Sequence, residues 1–439
     1  MQFWVELVII LLCLFAGARI GGIGLGAFSG VGLVILVFGF HILPTSPPID
    51  VLLMVLAVTT GASVLQAAGG LNYMVMLAER ALRKHPERVT FVAPLISYFF
   101  TFVTGTGHVV YAVLPVIAEV SRDAGVRPER PLSVSVIASQ QAITACPISA
   151  AVVSLLAILG DFNITLIDIL MVCVPSTLIG CMAAAFSVRK MGVELEEDPI
   201  YQQKLQEGSI ASLETITNMS KNALLRARLS VATFLAGIGV IVALASFPAL
   251  RPFWMIDGIR VNLHMPLAIE MIMLSVAAII LCFKVKGEEA LEGSVERAGF
   301  VAVICIFGIA WLGNTFAAGN AILISKAIGS MVAAFPASFV VALFVLSILL
   351  YSQAATVLAL MPLGVALKVP APFLVAMFPA VNGFFFLPTY GTMLAAIALD
   401  QTGTTKIGKY VLNHSFMRPG WVAIVVSVSV GFGLSWLIL

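Results

Sequence analysis

The sequence predicts an all-α, polytopic membrane protein made of two inverted repeats, and three observations carry that prediction. First, of 439 residues 60% are hydrophobic and only 10% charged, with a mean hydropathy of +1.08. Soluble domains carry roughly 25% charged residues, so this chain cannot clothe a water-facing surface. Second, a four-part pattern occurs twice: a polar tip within an apolar run, a proline ten residues on, a new apolar segment, and a second break at a proline. The tips are Thr104-Gly105-Thr106-Gly107-His108, leading to Pro115, and Ser352-Gln353-Ala354-Ala355-Thr356, leading to Pro362. The breaks surround Pro147, from Thr144 to Ser149, and Pro388, from Leu387 to Thr392. Third, lysine and arginine gather at alternate ends of the apolar runs, as the positive-inside rule requires of a multi-pass protein.

A membrane-crossing helix needs ~20 apolar residues. The first candidates are residues 3–17, 22–42 and 51–77. The next apolar run, 89–121, has Arg80, Arg83, Lys84 and Arg88 before it and Arg122, Arg127 and Arg130 after it. Both of its ends are therefore expected on the cytoplasmic side, which makes it a re-entrant hairpin with its tip near mid-membrane. A span over 132–159, broken at Pro147, and another over 164–186 complete a first repeat, 1–187. The polar stretch 188–228 reads as a cytoplasmic linker, with a short surface helix over 194–206 and no site. The second repeat, 229–439, follows the same plan: spans 229–247, 266–283 and 299–316, a hairpin over about 335–367, a broken helix over 372–399 and a last span, 421–439. Five spans per repeat is an odd number, so the second repeat is inverted and the hairpins enter from opposite faces. In this arrangement every lysine and arginine is cytoplasmic except Arg251, Arg260, Lys326 and Lys368, and both termini are periplasmic. Met1-Gln2 precedes the first run with no basic stretch, so no cleaved signal is expected.

Non-helical backbone survives at membrane depth only where it lines a cavity or is buried in protein. The two tips and two breaks therefore point to a binding site. Its candidate residues are Thr104, Gly105, Thr106, Gly107 and His108 at the first tip, and Thr144, Pro147 and Ser149 at the first break. The second tip adds Ser352, Gln353, Ala354 and Thr356, and the second broken helix adds Asn382, Pro388, Thr389, Tyr390 and Thr392. For any single hydroxyl, a bond back to its own helix competes with a site role. No lysine or arginine must lie at mid-membrane, so an anion would be held by helix ends and neutral donors. His108 is the one ionisable side chain at a tip, and reads equally as a pH-sensitive ligand or a packing histidine. Glu6, Glu119, Asp168 and Glu270 fall near segment ends, so no acidic proton relay is legible.

Other motifs fit blander roles. Cys13, Cys146, Cys173, Cys181, Cys282 and Cys305 lack C-x-x-C spacing or a histidine partner, which argues against disulfides and zinc and for small buried hydrophobes. Gly22-x-Gly24-x-Gly26 lacks the strand and lysine of a nucleotide loop; Gly22, Gly26 and Gly30 suit a close helix-packing face. The run Asp400 to Lys406 is a turn, a gate or a contact surface at the cytoplasmic mouth. No nucleophile–base or metal constellation is present, so neither an enzyme nor a cofactor is expected, and nothing suggests a nucleic-acid partner.

Six runs carry a resemblance: Gly17-Ala18-Arg19-x-Gly21-Gly22, Gly105-Thr106-Gly107-His108-Val109-Val110-Tyr111, Arg127-Pro128-Glu129-Arg130-Pro131, Ser352-Gln353-Ala354-Ala355, Leu387-Pro388-Thr389-Tyr390 and Gly403-Thr404-Thr405-x-Ile407-Gly408. With these the chain resembles the anaerobic C4-dicarboxylate carrier (Dcu) family over essentially its whole length, the second and third runs most the Dcu B, fumarate–succinate antiporter type. The resemblance implies a bacterial inner-membrane antiporter that brings in fumarate, malate or aspartate and releases succinate, with a membrane sensor kinase as a further partner. The alternatives are a dicarboxylate symporter driven by Na⁺ or H⁺ and an anion channel. More distantly, the repeated pattern is similar to the divalent anion/sodium symporters of the ion transporter superfamily. That likeness implies a homodimer whose transport domain slides against a scaffold domain. Those symporters carry Ser-Asn-Thr where this chain has Gly-Thr-Gly and Ser-Gln-Ala, which argues against carrying sodium coupling over.

Overall fold

A computed structural model describes residues 2–20, 23–47, 49–207, 220–256, 259–320, 338–350, 352–388, 390–408 and 412–439. The described residues are mostly helical. The chain opens with α1 (Gln2–Ile20) and α2 (Gly24–Val34), the latter running on as a π-helix, Ile35–Gly39. The expected single span 51–77 is instead two helices, α3 (Ile49–Ala67) and α4 (Gly70–Lys84), bent by 68°. The cause is local: Gly69 adopts φ +82°, a conformation open mainly to glycine, and α4 carries Glu79, Arg80, Arg83 and Lys84, which do not suit a lipid-facing continuation.

Then come α5 (Val89–Thr104), α6 (Val110–Asp123), α7 (Glu129–Ile143), α8 (Ala150–Leu159) and α9 (Leu166–Val188). A reciprocal capping box starts α9: the Asp168 amide donates to the Thr165 hydroxyl, and the Thr165 amide donates to the Asp168 carboxylate. The linker holds α10 (Pro199–Gln206), and α11 (Lys221–Ser246) starts eight residues earlier than hydropathy suggests, because Ser220 caps it at the Ala223 amide. A β-hairpin unforeseen in the sequence follows, β1 (Phe253–Ile256) with β2 (Ile259–Asn262), Trp254 opposite Val261. Asp257-Gly258 between aromatic and β-branched runs is its signal.

The remaining elements are α12 (Met265–Leu281), α13 (Gly287–Leu291), α14 (Ser294–Gly319), α15 (Ser338–Leu350), α16 (Gln353–Ala366), α17 (Ala371–Met377), a 3-10 helix (Phe378–Phe386), α18 (Gly391–Leu399) and α19 (Met417–Ile438). The second broken helix thus breaks earlier than Pro388 alone predicts. Asn382 already leaves helical geometry at φ −98°, ψ 28°, and the segments on either side of residues 387–390 diverge by 53°.

Among the described residues, α9, α11, α14 and α19 are each long and apolar enough to cross a membrane, and the α3–α4 and α17–α18 pairs bring the number to six. The apolar helices at the expected spans 3–17, 22–42 and 266–283 are shorter. A small core joins α1, α2 and α14 through Leu14, Leu33 and Ile309, and a larger one gathers most of the rest. Close crossings rest on glycine: Gly26 and Gly308 let α2 and α14 touch backbone to backbone, and Gly180 lets α9 meet Ser427 and Ala423 of α19. The proposed glycine face holds at Gly26 only, since Gly30 has nothing near it and Gly22 lies outside the described residues. Five of the six cysteines are buried, as expected; Cys282 is exposed.

Candidate functional site

The inner end of α7 collects the polar elements. Every residue of this helix, Glu129 to Ile143, is buried. It stops at Thr144, Pro147 cannot continue it, and α8 restarts from Ser149, whose hydroxyl accepts from the Val152 amide at 3.2 Å and donates to the Ile143 carbonyl at 2.6 Å.

The first tip lies on this end. Gly105 closes α5 at φ +74°, and a Cβ there would press on the Ile148 carbonyl at 3.3 Å. A Cβ on Gly107 would sit 3.2 Å from the Ile143 side chain and 3.3 Å from Gln140 Nε2. The Gly107 carbonyl accepts from the Ser139 hydroxyl, which also bonds Thr101. Glycine at 105 and 107 is therefore what allows contact this close.

The second tip reaches the same place. Ser352 caps α16, and Gln353 Nε2 donates to Gln140 Oε1 at 2.8 Å and to Asn382 Oδ1 at 3.0 Å. Asn382 Nδ2 donates in turn to Gln141 Oε1 at 3.3 Å. Four buried amides from α7, α16 and the 3-10 helix thus form one connected set. Nearby, Tyr390 occupies the N-cap position of α18, its ring 5.1 Å from that of Phe384 and its hydroxyl beside the Gln140 amide. Among the described residues, the nitrogens of Gln140 and Gln141 and the Thr392 hydroxyl are buried without a hydrogen-bond partner at proper geometry. Buried donors left this way are costly.

Several expected donors do not serve the centre. Thr104, Thr144 and Thr356 bond back to the carbonyls of Phe100, Gln141 and Ser352, the competing role for helical hydroxyls. Ser149 and Ser352 are spent on capping. Thr106 contributes its carbonyl to Thr104, while Pro147, Ala354 and Pro388 are buried and shape the backbone. Thr389 and the His108 side chain lie outside what the structure describes. The reading above missed Gln140 and Gln141, although two adjacent amides in an apolar segment, three residues before a break, were a visible signal.

The charges sit at the other end of α7. Arg127 donates to Glu129 at 2.7 Å and to Asp198, and Arg130 grips Glu194 and the Met191 carbonyl. Glu129 accepts from the Ser415 hydroxyl at 2.6 Å, and its amide donates to Thr404. Asp400 accepts from the Thr402 and Thr405 amides and the Thr402 and Thr404 hydroxyls, folding its loop around itself. The first part of the linker, Met191 to Asp198, is thus docked against the start of α7. Burial raises the Asp198 carboxyl, but the Arg127 guanidinium and the Tyr201 and Ile200 amides outweigh it and hold it below the usual range.

His414, in the loop before α19, is lowered by burial, and the Phe386 carbonyl restores only part of that. The folded ring binds a proton less readily than the unfolded chain, whose histidine titrates near ~6.5. Thermal stability is expected to fall as pH drops through that value, then level off once the folded ring protonates. Melting curves of wild type and His414→Asn between about pH 5 and 8 check this; an equal slope in the variant would clear His414 as the cause.

Comparison with known proteins decides the family. The model of the anaerobic C4-dicarboxylate membrane transporter family matches residues 2–439. The chain belongs to that family. The C4-dicarboxylate transporter DcuA of Wolinella succinogenes is 41% identical over 428 residues, covering 97% of this chain and 98% of the relative. DcuA of Escherichia coli K12 is 42% identical over 435 residues, covering 98% of each. The anaerobic C4-dicarboxylate transporter DcuB of Escherichia coli O6:H1 is 40% identical over 442, covering 99% of this chain and 98% of the relative. Identity therefore does not separate the two types. In fold, the chain is similar to Neisseria gonorrhoeae MtrF, of a class of antimetabolite efflux pumps (TM-score 0.60, 12% identity, 91% of this chain and 84% of that one). It is also similar to the Alcanivorax borkumensis YdaH transporter (TM-score 0.53, 15% identity, 99% and 96%). This member of the C4-dicarboxylate transporter family is a multi-pass membrane protein and a transporter, not an enzyme.

Proposed function

We propose that this transporter exchanges C4-dicarboxylates across the bacterial inner membrane, with fumarate, malate or aspartate entering and succinate leaving, by alternating access. The observation that carries the proposal is the amide centre: Gln140, Gln141, Gln353 and Asn382 linked together, with donors to spare and no lysine or arginine among them. Neutral donors and the N-termini of α16 and α18 hold carboxylates without the tight grip of a fixed cation, which suits a substrate that must leave again. One-for-one exchange of dianions moves no net charge and asks for no coupling group.

The topology drawn from the sequence belongs to the same proposal: two inverted repeats with the tips as re-entrant hairpins, a cytoplasmic linker, periplasmic termini, and a homodimer. The packing supports two bodies, since α5, α7, α9, α17 and α19 pack chiefly on one another while α1, α2, α3, α12 and α14 do likewise. The test is uptake of labelled fumarate into proteoliposomes of the full chain, without Na⁺, with and without succinate inside. Uptake that requires internal succinate is expected. Equal uptake into empty vesicles would overturn exchange in favour of proton-coupled symport, and uptake that appears only on adding Na⁺ to empty vesicles would do so in favour of sodium symport.

A further inference from the structure

We infer that the N-terminus of α18, closed over by Tyr111, is the pocket for the second carboxylate of the substrate, the first lying at Gln353, Asn382 and Gln141. This rests on the dicarboxylate reading above. Three independent observations meet there. Tyr111 stands at the start of α6, just beyond the first tip, and a Cβ on Gly391 would collide with its hydroxyl. Glycine at the first position of α18 is thus what admits the Tyr111 hydroxyl to that turn. On the same turn Thr392 is 1% exposed and its hydroxyl has no hydrogen-bond partner among the described residues. Gln140 joins the two pockets: its oxygen is held by Gln353, and its amide lies beside the Tyr390 hydroxyl at the head of α18.

The chemistry follows from these placements. The first amides of a helix have no partner within it, and the helix dipole adds positive potential there. A carboxylate seated on α18 would meet the amides of the first turn together with the hydroxyls of Thr392 and Tyr111. Such a pocket explains how a site without a fixed cation prefers two carboxylates to one. A dicarboxylate fills both pockets, whereas a monocarboxylate of the same length fills only the first. Tyr111 has the further property of belonging to a different chain segment from α18, so the pocket is complete only while the first tip lies against the second break.

The test is competition in the exchange assay, with succinate and butyrate as inhibitors of labelled fumarate uptake. Tyr111→Phe and Thr392→Val are each expected to weaken succinate about ten- to hundredfold while leaving butyrate unchanged, and Thr392→Ser is expected to keep the wild-type preference. Gel filtration of each variant reports folding. If Gln353→Leu weakens both inhibitors while Tyr111→Phe and Thr392→Val leave succinate untouched, or weaken both equally, the second pocket is overturned and the amide centre stands. If Gln353→Leu changes neither inhibitor, the dicarboxylate reading of the centre falls, and this inference with it.

Discussion

Replacing Arg127 with methionine is expected to leave little folded transporter to extract. Arg127, Glu129 and Asp198 are all buried, and the single guanidinium serves both carboxylates, Nε to Glu129 and a terminal nitrogen to Asp198. Removing it strands two negative charges away from water. Breaking a buried pair from one side costs about 3–5 kcal/mol, a large share of the about 5–15 kcal/mol that holds a typical domain together. The loss would spread, because Asp198 also caps α10 and Glu129 holds Ser415. Arg127→Lys is expected to rescue poorly, since one ammonium cannot reproduce the two-armed geometry. The measurement is the yield of monodisperse protein and its melting temperature. A Tm within ~2 °C of wild type would show that the lattice contributes nothing.

Gln353→Leu should fold but scarcely transport. Leucine keeps the volume and loses the one nitrogen that bridges Gln140 to Asn382. Two buried oxygens would then lack a donor, at about 1–3 kcal/mol each, and the amides of α7 would no longer be fixed relative to the 3-10 helix. A loss of about 1.4 kcal/mol is tenfold in an equilibrium constant, so exchange should fall about ten- to hundredfold. The readout is initial exchange rate against substrate concentration in proteoliposomes, normalised to protein recovered. Rates within about twofold of wild type, well under one such step, would remove Gln353 from the site.

The helical, membrane-bound character of the chain was legible because it follows from composition, which tertiary contacts cannot override. The two breaks were legible because a proline lacks an N–H and stood there beside other polar, helix-breaking residues; proline alone was no guide, since Pro94, Pro115, Pro175 and Pro362 lie inside helices. What the sequence hid was partnership. Thr104, Thr144 and Thr356 looked like site donors, and only the structure shows them bonded to their own helices. Gln140 and Gln141 looked like part of a span, because nothing local reveals that Gln353, 213 residues away, will meet one of them. The docking of Asp198 was hidden because its ion pair with Arg127 leaves no mark in the sequence at either position. The bend at Gly69 was missed where apolar content outweighed a glycine pair.

The complete burial of α7 has a consequence for how the protein is made. Between Glu129 and Ile143 the helix carries a carboxylate, an arginine, three serines and two glutamines. The serine and glutamine side chains along the helix are costly to bury in lipid without hydrogen-bond partners, so this segment would not partition into lipid unaided. It has to enter beside helices already there or wait for those still to come. Of its neighbours, α5 precedes it, but α9 follows, and α19 is the last helix of the chain. Biogenesis of the centre is therefore a late event: until the ribosome has released Met417–Ile438, α7 lacks part of its cover, and a chain truncated before that helix would retain the polar segment with no stable place to put it.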